Sequence, residues 1–346
     1  MRLLDLIAQE RCARVCPDGV TELPGAQSYA SVVRECPLRY VLTDELVMSA
    51  TQLAYAEGDR LSSCLDLVFA PGRSVWIEWA EGPRQRALRA LPMLNAQPES
   101  GARRAGCLLR ANADCRSGEL RTFWSTAEEV ACLSPMITDF DLDRAPQSLA
   151  ARQRALPGWD AVVRAQEEPA LDDLLSHLRF RFDAAWARYY AQRCADPRIR
   201  SQVLRSNLSA CAFDGPMLMA FFLLLGARTL LPRQSVQHAQ LNRARRRAGK
   251  PQLLEHIEVS APLEPPRSHA AAGGDLAGSG RTGPRLHHVR GHIVRRGSTI
   301  YWRSPHLRGS ARLGQIRSRT VVLRFPQPAQ SSPGSSPPRS FQTEAR

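Results

Sequence analysis

Along the first half of the chain the spacing of apolar residues changes from helical to strand-like. Residues 1–60 contain short helical stripes, such as Leu3, Leu4 and Ile7, and Thr43-Asp44-Glu45 is typical of a helix start. Residues 64–125 instead contain short runs of β-branched and aromatic residues separated by turns, a pattern typical of strands. The predicted strands are 64–69, 74–79, 106–110 and 120–124. We therefore predict an antiparallel sheet in this half.

The middle of the chain, residues 168–248, predicts helices. Apolar side chains recur at three- and four-residue spacing from Leu171 to Tyr189, which places them on one helical face. After a second helix, the wholly apolar run from Met217 to Leu225 predicts a third, fully buried one. A fourth helix is predicted over 234–248, because Gly249-Lys250-Pro251 is a helix-stop signal.

Two stretches of biased composition divide the last third of the chain. Residues 261–285 are rich in Pro, Gly, Ala and Ser and predict a flexible linker, and the Ser- and Pro-rich residues 326–346 predict a disordered tail. A short strand is predicted just before the linker, over 253–259. The prediction is an α+β protein, in which a mixed or antiparallel N-terminal sheet and a helical middle form a scaffold domain. The predicted divisions are the scaffold over 1–260, the linker over 261–285, a small basic β module over 286–325, and the tail over 326–346.

Histidine, arginine and aromatic residues dominate the predicted β module. Alternation along a strand places His288, Arg290 and His292 on one face. Residues 296–299 can form a tight turn, followed by a return strand over 299–303. With a last strand over 315–325, the module would be one three-stranded sheet with a basic face.

All of the charge excess lies in the last third of the chain. Residues 241–346 contain 19 Lys plus Arg and 5 Asp plus Glu, a net of +14, which equals the net charge of all 346 residues. Only one of the 47 basic residues is a lysine, Lys250, and this bias indicates a coding preference for arginine. That preference does not explain why acids are missing from 276–343. A localised basic excess favours a polyanionic partner.

Arginine and aromatic side chains on one small sheet favour single-stranded RNA as the nucleic acid. Guanidinium groups bind phosphates through paired hydrogen bonds, and Tyr301 and Trp302 offer stacking surfaces for unpaired bases. The predicted nucleic-acid-binding residues are His288, Arg290, His292, Arg295, Arg296, Tyr301, Trp302, Arg303, His306, Arg308, Arg317 and Arg319. On the fourth helix, Arg243, Arg246 and Arg247 share a face and lie near Lys250, which predicts a secondary basic patch or, equally, a plain solvated face.

Three other functions fit the same module. His288 and His292 have the spacing of a helical metal-ligand pair, but Gly291 opposes a helix and no acid or cysteine completes the set, so no metal or other cofactor is predicted. Histidine and arginine could serve as the general acid and phosphate clamp of a nuclease. The basic face could also dock on an acidic protein surface without binding nucleic acid. No complete catalytic signature occurs, so no catalytic residue is assigned and binding without chemistry is favoured.

Two acidic features of the scaffold have both a chemical and a structural interpretation. In Trp76-Ile77-Glu78-Trp79, the alternation of a strand places Trp76 and Glu78 on one face. Glu78 could be a site carboxylate with a raised pKa. The favoured interpretation is an edge-facing or arginine-paired side chain. Asp139, Asp141 and Asp143 alternate and could bind Mg²⁺, although a solvated loop that caps the next helix is favoured.

The location of the protein is predicted from what the chain lacks. No apolar run reaches the roughly 18 residues of a membrane span, and no signal-peptide pattern is found at Met1. The nine cysteines are odd in number and contain no CxxC pair, so reduced and mostly buried thiols are expected. These features predict a cytoplasmic protein with no membrane partner.

Two C-terminal stretches resemble the signature of a widespread family of phage- and prophage-encoded proteins. They are Leu286–His292 (LHHVRGH) and Tyr301–Gly309 (YWRSPHLRG), and Leu241–Pro251 and Val75–Trp79 resemble the family less specifically. That family is distantly similar to an anti-CRISPR protein that suppresses production of a type V effector through its message during translation. The resemblance implies an accessory protein that binds RNA and lowers expression of a host defence gene, with that message or a host defence protein as partner. The N-terminal two thirds do not match, so the resemblance implies no particular target.

Overall fold

The chain has an α+β fold, in agreement with the sequence. The computed structural model describes residues 1–16, 19–23, 25–90, 101–125, 129–144, 169–183, 186, 192, 196–226, 231–261, 285–289, 292–297, 299–303, 306–308 and 310–316. These residues divide between two compact units. The first comprises Met1–His269 with Gly291–Ser304, and the second comprises Ala270–Arg290 with Pro305–Arg346.

The first unit contains helices on both faces of a large sheet. Its helices are α1 (Leu3–Ala8), α2 (Ala26–Glu35), α3 (Asp44–Ala56), α4 (Gly58–Ser62), α5 (Glu81–Arg89), α6 (Pro169–Ser176), α7 (Pro197–Gly226) and α8 (Ala239–Arg247). Its strands are β1 (Cys12–Cys16), β2 (Gly19–Glu22), β3 (Leu38–Leu42), β4 (Ser74–Ala80), β5 (Arg104–Ala111), β6 (Ser117–Ser125), β7 (Ala131–Asp141), β8 (Leu178–Phe182), β9 (Arg233–Val236), β10 (His256–Val259), β12 (His292–Arg296) and β13 (Thr299–Arg303). The second unit contains β11 (Arg285–Val289), β14 (His306–Arg308) and β15 (Ser310–Ile316).

Ten of these strands form one mixed sheet. Its order is β2-β1-β7-β6-β5-β4-β3-β10-β9, and β8 also pairs with β7. The pairs β1/β7, β3/β4 and β3/β10 are parallel, and the others are antiparallel. The predicted antiparallel arrangement is therefore confirmed for β4 to β6, and the parallel pairs come from strands that lie far apart in sequence.

Strand β4 separates the two hydrophobic cores of the first unit. Trp76 packs in one core with residues of α1, whereas Ile77 and Trp79 pack in the other with residues of α3 and α7. All three side chains are fully buried. The alternation predicted for this strand is thus confirmed, and it places Glu78 on the α1 face of the sheet.

Three predictions of secondary structure are wrong, and in the first two a short apolar run fits more than one periodicity. Residues 64–69 are not a strand: Leu65–Leu67 form a 3-10 turn, from which Leu65 and Val68 reach the core while Phe69 stays exposed. The helix predicted to Tyr189 ends at Ser176, and Leu178, Phe180 and Phe182 alternate in β8 instead. The two helices predicted on either side of Pro216 are one helix, α7.

The predicted three-stranded C-terminal sheet is also wrong in its pairing. In the second unit β11 lies between β14 and β15, in the order β14-β11-β15. The turn and return strand predicted around residues 296–303 are confirmed as the hairpin β12–β13, with left-handed Gly297 at its turn, but this hairpin belongs to the first unit. The strand predicted over 315–325 begins earlier, at Ser310, and residues 317–325 lie outside the described residues. The predicted tail lies wholly outside them, and of the predicted linker only residues 261 and 285 are described.

Two predictions about the whole chain can be followed in the described residues. Seven cysteines whose side chains the structure describes are free, and six of them are buried: Cys12, Cys36, Cys64, Cys107, Cys132 and Cys211. None of the described helices has both the length and the apolar character needed to cross a bilayer.

Candidate nucleic-acid interface

Helix α8 is held on the first unit by its polar side chains. The Asn242 side chain donates to the backbone oxygen of Leu253 (2.9 Å) and accepts from the Leu253 N–H (2.8 Å). The Nε of Arg245 donates to the carbonyl of Pro251 at 2.6 Å. Leu254, which follows Leu253 in the chain, donates its N–H to the Asp5 carboxylate on α1 at 2.9 Å. This arrangement fixes one face of α8, although none of its residues is buried.

The C-terminal end of α8 follows the predicted stop signal. Gly249 has a φ of +65°, the left-handed conformation that glycine adopts without steric cost. The N–H of Lys250 donates to the carbonyl of Arg245 at 2.8 Å, which caps the last turn. The predicted start is wrong, however, because residues 234–236 belong to β9 and the helix begins at Ala239.

The secondary basic patch lies on α8 and directly after it, beside these anchors. Arg243, Arg246, Arg247 and Lys250 are all exposed, and none has an ion-pair partner in the part of the chain that the structure describes. The sequence explains why: between Asp214 and Glu255 it contains no acidic residue. We call these four residues the α8 cations. Three of them lie within two turns of α8, whose backbone is held through Asn242 and Arg245.

The predicted C-terminal binding residues are divided among several strands. His288 lies on β11, and His306 and Arg308 lie on β14, all in the second unit. The other six that are described lie on the hairpin, namely His292, Arg295, Arg296, Tyr301, Trp302 and Arg303. Because β11 ends at Val289, the single strand predicted to run from His288 to His292 is wrong. Arg290, Arg317 and Arg319 lie outside the described residues.

Arg295 already has an acidic partner. Its guanidinium binds the Asp66 carboxylate with both terminal nitrogens, at 2.8 and 2.5 Å, and one of them also donates to the carbonyl of Ser63 at 2.9 Å. A paired guanidinium fork has no free face to offer a phosphate. We therefore leave Arg295 out of the proposed interface.

Glu78 is a structural carboxylate, and the predicted pairing with arginine is confirmed. Its side chain is fully buried and forms an ion pair with Arg104. It also accepts hydrogen bonds from the backbone N–H groups of Leu3 (2.8 Å) and Leu4 (2.9 Å) and from the Trp76 indole (3.3 Å). These bonds satisfy the first turn of α1, so Glu78 joins that helix to β4.

The alternating aspartates are structural as well. Asp139 and Asp141 lie in β7, so the predicted solvated loop is wrong at these two positions. Asp139 pairs with Arg181 at 2.8 Å and Asp143 with Arg116 at 2.7 Å. Within the described residues no group of three acidic, histidine or cysteine side chains is arranged to hold a metal ion.

Sequence reasoning missed a buried ionic network beneath α7. Arg84 on α5 binds Glu81 at 2.5 Å and Asp214 at 2.7 Å, and the Trp79 indole donates to Glu81 at 3.2 Å. Burial raises the pKa of Asp214 to about 7, although Arg84 opposes that shift. Burial alone would lower the pKa of Arg84, but the two carboxylates hold it above its ordinary value. The spacing of Glu81 and Arg84 is a local signal, whereas Asp214 lies 130 residues away.

The chain matches no family model, no curated protein and no solved structure. Its candidate interface is therefore defined by its own geometry and charge, and the α8 cations are the part of it with described side chains.

Proposed function

We propose that this protein binds nucleic acid, with single-stranded RNA as the preferred form, and that the α8 cations are its described contact surface. One observation supports the proposal: four exposed cations lie together on a fixed helix end without an acid to neutralise them. Such a cluster lowers the free energy of a nearby phosphate backbone and releases its counterions. The hairpin would add Arg296 and Arg303, together with the aromatic residues Tyr301 and Trp302.

A fixed cation cluster is better suited to phosphate binding than a mobile one. The backbone of α8 is already ordered by Asn242 and Arg245, so binding does not have to order the helix as well as the side chains of the cations. The favourable helix dipole at this end explains part of the clustering, because Arg246 and Arg247 lie in the last turn. It does not account for Lys250, which follows the helix, or for the missing acids.

The test compares two variants of the full chain that lose the same charge. In the first, Arg243, Arg246, Arg247 and Lys250 are all changed to Gln. In the second, four exposed arginines elsewhere are changed to Gln: Arg60, Arg73, Arg86 and Arg198. Binding of labelled single-stranded RNA is measured over a range of salt concentrations by fluorescence anisotropy.

We expect the α8 variant to bind more weakly and with a shallower dependence on salt. For every phosphate that the variant no longer neutralises, the slope of log K against log salt should become smaller by roughly 0.7. The matched variant should keep most of the wild-type affinity and slope. Equal weakening in the two variants would mean that net charge, and not this surface, governs binding. Wild-type binding that salt does not change would contradict the proposal.

The same RNA also separates binding from chemistry. We expect it to remain intact on a gel with and without EDTA, because no catalytic residues are assigned. Products that appear with wild type and disappear in His306→Gln would replace the binding proposal with a histidine-dependent nuclease. A duplex DNA competitor that displaces the RNA at equal concentration would remove the preference for single strands.

The resemblance to phage and prophage proteins extends the proposal to the identity of the RNA. If the protein lowers expression of a host defence gene, the full chain should retain messages selectively when it is purified from cells. Sequencing of the bound RNA tests this, with the α8 variant as the control. An RNA profile that simply follows cellular abundance would oppose a specific message and leave general RNA binding.

A further inference from the structure

One end of the large sheet has a row of four charged side chains on a single face. The strand register places Arg110 on β5 opposite Glu119 on β6, Glu119 opposite Asp139 on β7, and Asp139 opposite Arg179 on β8. Cross-strand partners point to the same side of a sheet, so the row reads arginine, acid, acid, arginine. Neighbouring strands are about 4.8 Å apart, which puts the Cα atoms of the two outer arginines roughly 14 Å apart.

The two acids in the middle of the row are neutralised from the next row along the strands. Arg181 binds Glu119 at 2.9 Å and Asp139 at 2.8 Å. Arg121 approaches Glu119 at 3.6 Å and binds Asp183 at 2.8 Å. Glu119 and Asp139 are therefore committed to these two arginines.

The outer arginines have no acidic partner among the residues that the structure describes. Arg110 and Arg179, together with Arg144 beyond the end of β7, line an open depression of about 650 Å³. The lining also contains Asp141, which accepts a hydrogen bond from the backbone N–H of Asp143 at 3.2 Å but has no ion pair in the described residues. Arg110, Arg144 and Arg179 are thus three guanidinium groups without an ion pair in the described residues, and they outnumber the one unpaired carboxylate beside them.

From these three unpaired guanidinium groups we propose that the depression is a binding site for a small anion. Guanidinium forks bind both phosphate and carboxylate oxygens, so the shared chemistry is a small anion such as a phosphate monoester or a dicarboxylate. The volume is within the range of roughly 300–1,000 Å³ of small-molecule sites. This site is separate from the α8 cations and does not depend on the proposed function.

The proposal is tested by calorimetry on the full chain with three probes: inorganic phosphate, adenosine monophosphate and succinate. Arg110→Gln and Arg179→Gln should each weaken binding of the preferred probe about tenfold or more, because each removes a charge-assisted hydrogen bond to the anion. Arg73→Gln is the matched control, since Arg73 is also exposed but does not line the depression. The variant without the α8 cations should bind the small probe as wild type does.

The probes also identify the chemistry. Binding of both phosphate probes without succinate supports a phosphate ligand, and binding of succinate alone supports a dicarboxylate. No heat from any probe at millimolar concentration would overturn the proposal, and so would equal weakening by Arg73→Gln. Thermal unfolding of Arg110→Gln and Arg179→Gln near the wild-type temperature shows that weaker binding does not come from unfolding.

Discussion

The face of the large sheet near β8 and the exposed face of α8 both contain arginine, but only the first contains acids. On the sheet, Arg121 and Arg181 each bind two carboxylates, and the strand register holds them there. On α8, Arg243, Arg246 and Arg247 have no such partner in the described residues. Arginine content therefore does not by itself identify a surface for polyanions, since paired arginines serve the fold and unpaired ones are free for a ligand.

The hairpin β12–β13 shows the same distinction within one predicted module. Composition alone predicts that Arg295 binds nucleic acid, yet Arg295 forms a two-point ion pair with Asp66. The acid comes from a segment 229 residues earlier, where no local pattern reveals it. A surface can therefore be basic in sequence and partly neutral in the folded chain.

The largest effect should come from Arg84, which is the buried arginine among the described side chains. Arg84→Met leaves Glu81 and Asp214 buried without their shared cation, so we expect a decrease of about 3–5 kcal/mol in the free energy of unfolding. Urea unfolding followed by circular dichroism measures this decrease. Arg73→Met, at an exposed position, is the control and should change stability by less than about 0.5 kcal/mol. A similar small change for Arg84→Met would show that the network contributes little to the fold.

The same network should make stability depend on pH. Burial raises the pKa of Asp214 from 3.8 to about 7, so the folded chain holds that proton more tightly than the unfolded chain. The stabilising contribution of protonated Asp214 is complete below its ordinary pKa and is lost as pH rises through its folded pKa. Relative to Asp214→Asn, wild type should lose stability as pH rises from 3.8 to about 7, by up to about 1 kcal/mol per pH unit.

The measurement is the difference between wild-type and Asp214→Asn unfolding free energies at several pH values. Exposed carboxylates titrate in both proteins and cancel in this difference. A difference that stays flat, or that grows in favour of wild type as pH rises, would mean that Arg84 keeps Asp214 ionised throughout.

Local sequence patterns predicted local structure, whereas the strand pairing of the sheet could not be predicted from them. The alternation in β4, the turn at Gly297 and the stop at Gly249 each depend on neighbouring residues, and each is confirmed. Leu178 and Phe182 fit a helix by four-residue spacing and a strand by alternation through Phe180. These residues form a strand because they pair with β7, and the sequence alone does not show that pairing.

The candidate sites divide in the same way. The α8 cations are predictable because the basic run and the missing acids are both local to the sequence. Arg110, Arg144 and Arg179 are not, because the register of four strands brings them to one depression. The division of the predicted C-terminal module between two units also depends on long-range contacts.

A paired surface arginine should have a smaller effect than the buried network. Arg181→Gln removes two ion pairs, but its side chain is 49% exposed and water already screens them. We expect a decrease of about 0.2–1 kcal/mol in the free energy of unfolding, and a smaller decrease at high salt. Chemical unfolding at two ionic strengths measures both. A decrease that salt does not reduce would point to packing of the arginine stem instead of charge.

The smallest effect on stability should come from the α8 cations. In the variant with Gln at 243, 246, 247 and 250, like-charge repulsion at three- and four-residue spacing is relieved, but a favourable interaction with the helix dipole is removed. These effects oppose each other, and Asn242 and Arg245 still hold the helix, so the free energy of unfolding should stay within about 0.5 kcal/mol of wild type. Urea unfolding of the same preparations used for RNA binding measures this. Unchanged stability with weakened RNA binding is the result expected of unpaired cations, whereas a destabilisation above about 1 kcal/mol would place them with the paired arginines of the sheet.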